Sequence, residues 1–219
     1  MNIKTLFFFI IITTFSISSF SQESRLVEIS TPKGNMIIKL YNETPIHRDN
    51  FIKLAEDGYF DGQIFHRVIN NFMIQAGDPN SKNADKGEML GMGGPGYTLP
   101  AEFKEGLYHK KGALAAARKG DAVNPGKESS GSQFYIVQGQ VFSKEQLETF
   151  VKMGRHKAFT EEQIRDYTTI GGTPHLDDSY TVFGEVVEGL DVLDAISSVP
   201  VDNYNRPLED IVIQVKVLN

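Results

Sequence analysis

Short apolar runs separated by turn residues recur along most of the chain and predict a fold made mainly of β-strands. Two of these runs, residues 26–29 and 36–40, flank Pro32 and Gly34, an arrangement that predicts a β-hairpin. The same pattern predicts further strands over residues 65–69, 72–75, 97–103, 112–117, 133–138, 180–187 and 210–218. Because the first and last segments of the pattern are both strands, we expect a closed, mostly antiparallel barrel without free edges.

Two segments have helical features instead. Thr44 followed by Pro45 is a typical helix start, and Gly58 marks the expected end of that helix. Residues 189–199 place apolar side chains three residues apart, which predicts a second helix. The pattern therefore predicts a barrel capped by two helices, and residues 77–96, rich in Gly, Asn, Asp and Pro, are expected to form a surface loop.

Residues 140–172 interrupt the strand pattern. Ser143 and Thr160 each precede a glutamine three residues later, and this spacing is typical of a capping box at a helix start. Apolar residues at helical spacing follow each of them. Because the segment is too short to hold a core of its own, we predict a two-helix insertion that sits on the barrel and is not a separate domain.

Residues 1–21 differ in composition from the rest of the chain. Lys4 precedes an almost continuously apolar stretch over residues 6–15, and small serine residues follow it. This is the layout of a secretory signal peptide, and the apolar stretch is short for a membrane span. We predict a cleaved signal over residues 1–21, one domain over residues 22–219 and no membrane span after cleavage. An uncleaved N-terminal membrane anchor is the alternative.

Composition excludes several classes of function. The net charge of −6 provides no basic surface for nucleic acid, so no nucleic-acid partner is expected. The chain has no cysteine, which excludes disulfides, thiol catalysis and cysteine-ligated metals. The five histidines lack metal-ligand spacing, so we expect no metal site.

An arginine within an apolar strand is the strongest sign of chemistry. Strand alternation places Arg67 on one face with Phe65 and Ile69, and burying a guanidinium is costly unless it is paired or faces a cleft. A salt-bridged core arginine and a functional arginine both fit this pattern. The neighbouring His66 is interpreted as a packed, hydrogen-bonded histidine.

Four motifs occur in one order along the chain: residues 65–78, Gly-Pro-Gly-Tyr at 94–97, Gly-Ser-Gln-Phe-Tyr at 131–135 and Val-Phe-Gly at 182–184. Together they resemble the cyclophilins, and the resemblance runs from about residue 26 to residue 217. It implies a closed eight-stranded antiparallel barrel with helices at both ends and a proline-binding groove on its outside. It also implies a peptidyl-prolyl cis/trans isomerase that needs no cofactor.

The resemblance carries the family's functional positions onto this sequence. The catalytic arginine matches Arg67, and Gln75 would bind the substrate backbone and help to position it. The substrate-binding positions match Phe72, Met73, Ala117, Arg118, Tyr135, His175, Leu176 and Tyr180. Four of these depart from common family members, because Arg118 replaces asparagine, Tyr135 phenylalanine, His175 tryptophan and Tyr180 histidine. The last change resembles bacterial members, and the added hydroxyl of Tyr135 needs a partner.

The expected partners are proline-containing, unfolded or partly folded polypeptides, and we expect a monomer that assists the folding of exported proteins in the bacterial periplasm. Two other functions fit the same residues. One is a module that holds proline segments without turnover, and the other is an envelope-assembly protein tethered by its N-terminus. For the insertion, we expect Phe150, Ile164 or Tyr167 to lie over the groove edge and select among protein clients.

Overall fold

The structure, a computed structural model, describes residues 25–218. The predicted signal peptide therefore lies outside the described residues. The strands are β1 (Arg25–Thr31), β2 (Gly34–Leu40), β3 (Arg67–Ile69), β4 (Met73–Ala76), β5 (Thr98–Leu99), β6 (Ala113–Ala116), β7 (Ser129–Ser130), β8 (Phe134–Val137), β9 (Val182–Glu188) and β10 (Gln214–Leu218). The helices are α1 (Pro45–Glu56), α2 (Lys144–Lys152), α3 (Glu161–Thr169) and α4 (Leu190–Ser197).

Eight of these strands form one antiparallel sheet in the order β10-β1-β2-β9-β6-β8-β4-β3. The two short strands β5 and β7 pair separately. The large sheet curls around a core of apolar side chains, and α1 and α4 pack into the same core. The mostly β fold, the eight antiparallel strands and the two helices packed against the sheet are thus confirmed.

The prediction of a closed barrel is wrong, because the sheet is an open half-barrel whose edge strands are β3 and β10. The gap between these edges is crossed only by irregular chain. Gly62 N donates to Ile213 O at 3.1 Å, and Phe65 N donates to Ile211 O at 3.0 Å. β3 is three residues long and β10 begins only after Ile213, so neither strand extends far enough to complete a ladder.

Alternation along the strands separates the two faces of the sheet. In β4, Ile74 packs in the inner core, whereas Met73 belongs to a second apolar cluster on the outer face. In β8, Phe134 and Tyr135 divide in the same way. The outer face therefore carries a second apolar cluster of its own, which partly buried side chains such as Phe72 and Leu176 cover.

Helix α1 begins after Thr44, with Pro45 in its first turn, and ends close to Gly58, whose φ is +66°. These bounds confirm the predicted helix. Thr44 occupies the N-cap position but makes no capping hydrogen bond with its side chain. The helix is held by its buried face, where Phe51 packs edge-on against Phe134 with a centroid distance of 5.3 Å.

Both helices of the insertion have the predicted capping boxes. Ser143 N donates to Gln146 Oε1 at 2.7 Å, and Thr160 N donates to Gln163 Oε1 at 2.9 Å. The hydroxyl groups accept from the N3 backbone in return. A small apolar cluster joins both helices to the rest of the fold through Tyr108.

None of the helices within residues 25–218 combines the length and the apolar character that crossing a membrane requires.

Candidate active site

A groove of about 370 Å³ lies on the outer face of the sheet, beside the ends of β3, β4, β6 and β8. Nine of the ten site residues predicted from the sequence line it: Arg67, Phe72, Met73, Gln75, Ala117, Arg118, Tyr135, Leu176 and Tyr180. Seven other residues also line its walls: His66, Glu88, Met89, Leu90, Gly91, Tyr204 and Arg206. The groove therefore combines the predicted strand residues with two loops.

Arg67 is half-buried in this groove and has no carboxylate partner among residues 25–218. It pairs across the β3–β4 ladder with Gln75, and its Nη1 donates to Gln75 Oε1 at 3.2 Å. Burial lowers the pKa of Arg67, but the guanidinium is so strongly basic that it stays charged at neutral pH. The alternative of a salt-bridged core arginine is therefore wrong.

Gln133, a residue that the sequence analysis missed as part of the site, holds Gln75 in turn. Gln75 Nε2 donates to Gln133 Oε1 at 2.9 Å, and Gln133 Nε2 donates to Gly91 O at 3.0 Å and Gly93 O at 2.7 Å. Gln133 is buried, so these bonds have little competition from water. A continuous series of hydrogen bonds thus fixes the Arg67 side chain to the loop at the groove wall.

Two buried charged residues fix this loop. The Asp78 carboxylate accepts hydrogen bonds from the backbone N–H of Gly91 and, at 3.2 Å, of Gly93. Arg206 Nη1 donates to Asp85 O at 2.7 Å, and its Nη2 donates to Ala84 O at 3.0 Å. Asp78 ends the first sequence motif, so its position in that motif was the available signal. Arg206 lies far away in sequence and gave no signal.

Tyr135 forms the buried floor of the groove. Its hydroxyl lies 2.9 Å from His109 Nε2, and its ring is nearly parallel to the imidazole of His109 and edge-on to Tyr180. Burial raises the pKa of Tyr135 well above its ordinary value, so the hydroxyl stays protonated. The partner that the sequence analysis required for this hydroxyl is thus His109.

Arg118 lines the groove, but its guanidinium is bound elsewhere. Its Nε donates to Ser179 O at 2.6 Å, and its guanidinium carbon lies 4.5 Å from the Tyr180 ring centre. Within the described part of the chain, the backbone N–H and C=O of Arg118 form no hydrogen bond, whereas both of these groups are paired in Ala117. An extended peptide in the groove would therefore find an open backbone donor and acceptor at Arg118.

His175 does not line the groove, in contrast to its prediction as a substrate-binding residue. It lies on the short turn Pro174–Leu176 and stacks on Phe72, with ring centroids 5.7 Å apart. His175 thus contacts a side chain that lines the groove, although it does not line the groove itself. Burial lowers the pKa of His175, which favours a neutral imidazole at pH 7.

His66 lines the groove with both ring nitrogens unpaired within residues 25–218, so its interpretation as a hydrogen-bonded histidine is wrong. Burial lowers its pKa to about 4, and the charges of Arg67 and Arg206 act in the same direction. His66 therefore contributes a neutral, buried imidazole to the groove wall.

The insertion does not place aromatic side chains over the groove. Tyr167 is fully buried, and Phe150 and Ile164 pack in the small cluster around it. Within residues 25–218 there is also no group of three or more His, Asp or Glu side chains suited to a metal ion. The groove thus combines the guanidinium of Arg67, the amide of Gln75 and an apolar floor, and Arg118, Arg206, Glu88 and His66 complete its polar lining.

Comparisons with known proteins agree with this geometry. A family profile described as "Cyclophilin type peptidyl-prolyl cis-trans isomerase/CLD" matches residues 26–217. A protein of Staphylococcus haemolyticus, named "Putative peptidyl-prolyl cis-trans isomerase", is 38% identical over 192 residues, which cover 86% of this chain and 88% of the relative. A protein of the same name from Staphylococcus saprophyticus is 37% identical over 187 residues, which cover 84% of this chain and 86% of the relative.

Solved structures share the fold. A cyclophilin-type peptidyl-prolyl cis-trans isomerase of Cryptosporidium parvum superposes with a TM-score of 0.64 at 24% identity, covering 90% of this chain and 99% of the other. The same enzyme, crystallised in the presence of the dipeptide Ala-Pro, gives a TM-score of 0.61. The profile over nearly the whole described chain and the bacterial relatives establish the family, and the chain belongs to the cyclophilin-type peptidyl-prolyl cis-trans isomerases.

Proposed function

We propose that the groove binds an X-Pro segment of a polypeptide and that Arg67 catalyses rotation about its peptide bond. The observation that carries this proposal is the state of Arg67. Its guanidinium has no carboxylate partner among the described residues, and the amide of Gln75 holds it against an apolar groove. A charged donor kept free in this way is available to a substrate.

The chemistry follows from the peptide bond itself. Resonance gives the C–N bond partial double-bond character and a rotational barrier of roughly 18–20 kcal/mol. In the twisted transition state this resonance is lost, and the proline nitrogen gains a localised lone pair. A guanidinium N–H of Arg67 directed at that nitrogen binds the transition state more strongly than the planar ground state, which is the requirement for catalysis.

The other groove residues would hold one side of the bond while the other side turns. Phe72, Met73, Tyr135 and Leu176 form the apolar floor that suits a proline ring. The unpaired backbone of Arg118 would bind the substrate backbone alongside it. Fixing one half of the substrate in this way lets the rotation proceed without release of the chain.

We further propose that the clients are unfolded or partly folded proteins exported with the enzyme, which acts as a monomer in the bacterial periplasm. The signal-like pattern of residues 1–21 supports export. Retention of the N-terminus as a membrane anchor is the alternative. Cell fractionation with N-terminal sequencing separates the two, since cleavage predicts a soluble mature chain that begins near Gln22.

The catalytic proposal is tested with Arg67→Ala. One hydrogen bond to a charged group contributes about 1.5–3 kcal/mol, so kcat/KM for an Ala-Pro tetrapeptide should fall by at least about tenfold. Arg48→Ala is the control, because Arg48 on α1 is a buried arginine outside the groove whose guanidinium bonds Asn42 and Asp49. Unchanged kcat/KM in folded Arg67→Ala would refute the proposed role of Arg67, whereas no measurable turnover in the wild-type protein would favour a binding module.

A further inference from the structure

A single buried carboxylate lies between the helical insertion and the groove. The side chain of Asp177, only 5% exposed, follows directly after the groove residue Leu176. Its Oδ1 accepts from the backbone N–H and from Nδ1 of His109, both at 2.8 Å. Its Oδ2 accepts from His156 Nε2 at 3.0 Å and from the Tyr167 hydroxyl at 2.7 Å. Two of its three partner residues belong to the insertion.

The same carboxylate reaches the floor of the groove through His109. Since His109 Nδ1 donates to Asp177, its Nε2 is free to accept the hydrogen bond from the Tyr135 hydroxyl. The backbone of His109 also accepts from Thr173 N at 2.8 Å, which joins it to the turn that carries Leu176. Tyr135 and Leu176, two of the side chains proposed to hold the proline ring, are therefore both fixed through Asp177 and His109.

We propose that Asp177 is a positioning residue that couples residues 140–172 to the proline-binding groove, with His156 and Tyr167 as its partners on the insertion. This inference rests on the proposed function of the groove. It reverses the expectation from sequence, in which the insertion selects protein clients by contacting them. In the structure the insertion is connected to the groove residues through buried hydrogen bonds and does not contact the substrate. It therefore affects the turnover of even a short peptide.

The hydrogen bonds of His156 require a charged imidazole. Its Nδ1 faces Lys157 O at 2.6 Å and its Nε2 faces Asp177, so both nitrogens must carry protons to satisfy both oxygens. The ring also stacks on Phe159 with centroids 3.8 Å apart. Asp178 lies nearby and is paired with the Lys157 ammonium at 2.9 Å.

These surroundings set the direction of the pH dependence. Burial alone would lower the pKa of His156, but the hydrogen bonds to Asp177 and to Lys157 O, with the charges of Asp177 and Asp178, outweigh burial and raise it. Burial alone would raise the pKa of Asp177, but hydrogen bonds from His109, His156 and Tyr167 hold it well below its ordinary range. Because the pKa of His156 is raised, the coupling is complete below its ordinary value and is lost as the pH rises through the folded-state value.

Two tyrosines at this interface provide a matched pair of variants. Tyr167→Phe removes a hydrogen bond to Asp177, whereas Tyr108→Phe removes one of 2.6 Å to Asp166 at the same barrel–insertion contact. Both are buried Tyr–Asp bonds, so both variants should lose stability. We expect kcat/KM for an Ala-Pro tetrapeptide to fall about two- to tenfold in Tyr167→Phe and to stay at the wild-type value in Tyr108→Phe.

The pH profile tests the charge on His156. Turnover is measured by NMR exchange spectroscopy, so that no coupling protease contributes its own pH dependence. Wild-type kcat/KM should decline as the pH rises from 6 to 9, and His156→Gln, which can still donate to Asp177 but does not titrate, should flatten this decline. Equal turnover and identical pH profiles in wild type, Tyr167→Phe and His156→Gln would overturn the coupling.

A measurement that does not depend on turnover distinguishes failure of this coupling from failure of the proposed function. The ¹⁵N resonances of the His109 ring should shift in Tyr167→Phe and with the titration of His156, but not in Tyr108→Phe. If these shifts occur in a protein that does not isomerise Ala-Pro peptides, the catalytic proposal fails while the coupling stands. If the resonances of His109 do not respond, the coupling fails whatever the activity.

Discussion

Replacing Gln133 with methionine would break the series of hydrogen bonds behind Arg67 while keeping the volume of the side chain. The substitution removes the acceptor for Gln75 Nε2 and both donors to the loop carbonyls of Gly91 and Gly93. Since Gln133 is buried and does not line the groove, the variant changes how Arg67 is held without changing the groove surface.

The structure sets the size of each effect. Each of the three hydrogen bonds of the Gln133 side chain contributes about 0.5–1.5 kcal/mol, so the free energy of unfolding should fall by about 1.5–4.5 kcal/mol. For a domain of this size that corresponds to a Tm lower by about 3–18 °C. Loss of the bond to Gln75 also frees the Arg67 side chain, which should reduce kcat by about two- to tenfold with a smaller change in KM.

A thermal melt and steady-state kinetics on an Ala-Pro tetrapeptide, at a temperature where the variant is fully folded, measure the two effects separately. Gln63→Met is the control, because Gln63 is equally buried and donates to Tyr59 O at 2.8 Å, outside the groove. We expect Gln63→Met to lower Tm without changing kcat. A Gln133→Met enzyme with wild-type kcat and a lowered Tm would refute the claim that Gln133 positions the catalytic residues.

Two further changes test other parts of the structure. Gly77→Ala should lower stability by about 3 kcal/mol or more, measured by urea unfolding, because Gly77 has a φ of +93° and a Cβ there would lie 2.1 Å from Ser132 O. Gly87→Ala, at a similar φ but in open space, is its control, and equal losses would show that the contact is unimportant. His175→Trp should tighten cyclosporin binding, measured by competition against turnover, because a larger ring beside Phe72 would extend the apolar surface; an unchanged inhibition constant would contradict this.

Local sequence signals predicted local structure well. The capping boxes at Ser143 and Thr160 were visible because each needs only residues three positions apart, and both formed as predicted. Alternation was less reliable where a strand was short. Phe65 and Arg67 were placed on one face, but β3 begins only at Arg67, so Phe65 turns into the inner core while Arg67 faces the groove.

What the sequence could not provide were the long-range polar contacts. Gln133 and Arg206 bond groups about 40 and 120 positions away, and no periodicity marks such pairs. The open sheet was not predicted for a similar reason. The hydrophobic pattern shows that β3 and β10 are strands, but it does not show whether their ends meet. The motif around Arg67 identified most of the site residues. A resemblance to a known family transfers the positions of residues that meet in the folded protein, whereas hydrophobic patterning does not.

The pairing of β1 with β10 constrains how the enzyme is made. Leu26 lies opposite Leu218 in the ladder, so β1 cannot form this pairing until β10 has been synthesised. At about 5–20 residues per second, the intervening chain takes roughly 10–40 s to synthesise. During that time β1 lacks one neighbour, and the loop at Ala84 and Asp85 lacks the Arg206 that anchors it. A nascent chain thus cannot complete the edge of the sheet at β1, or anchor this loop of the groove wall, until Arg206 and β10 have left the ribosome.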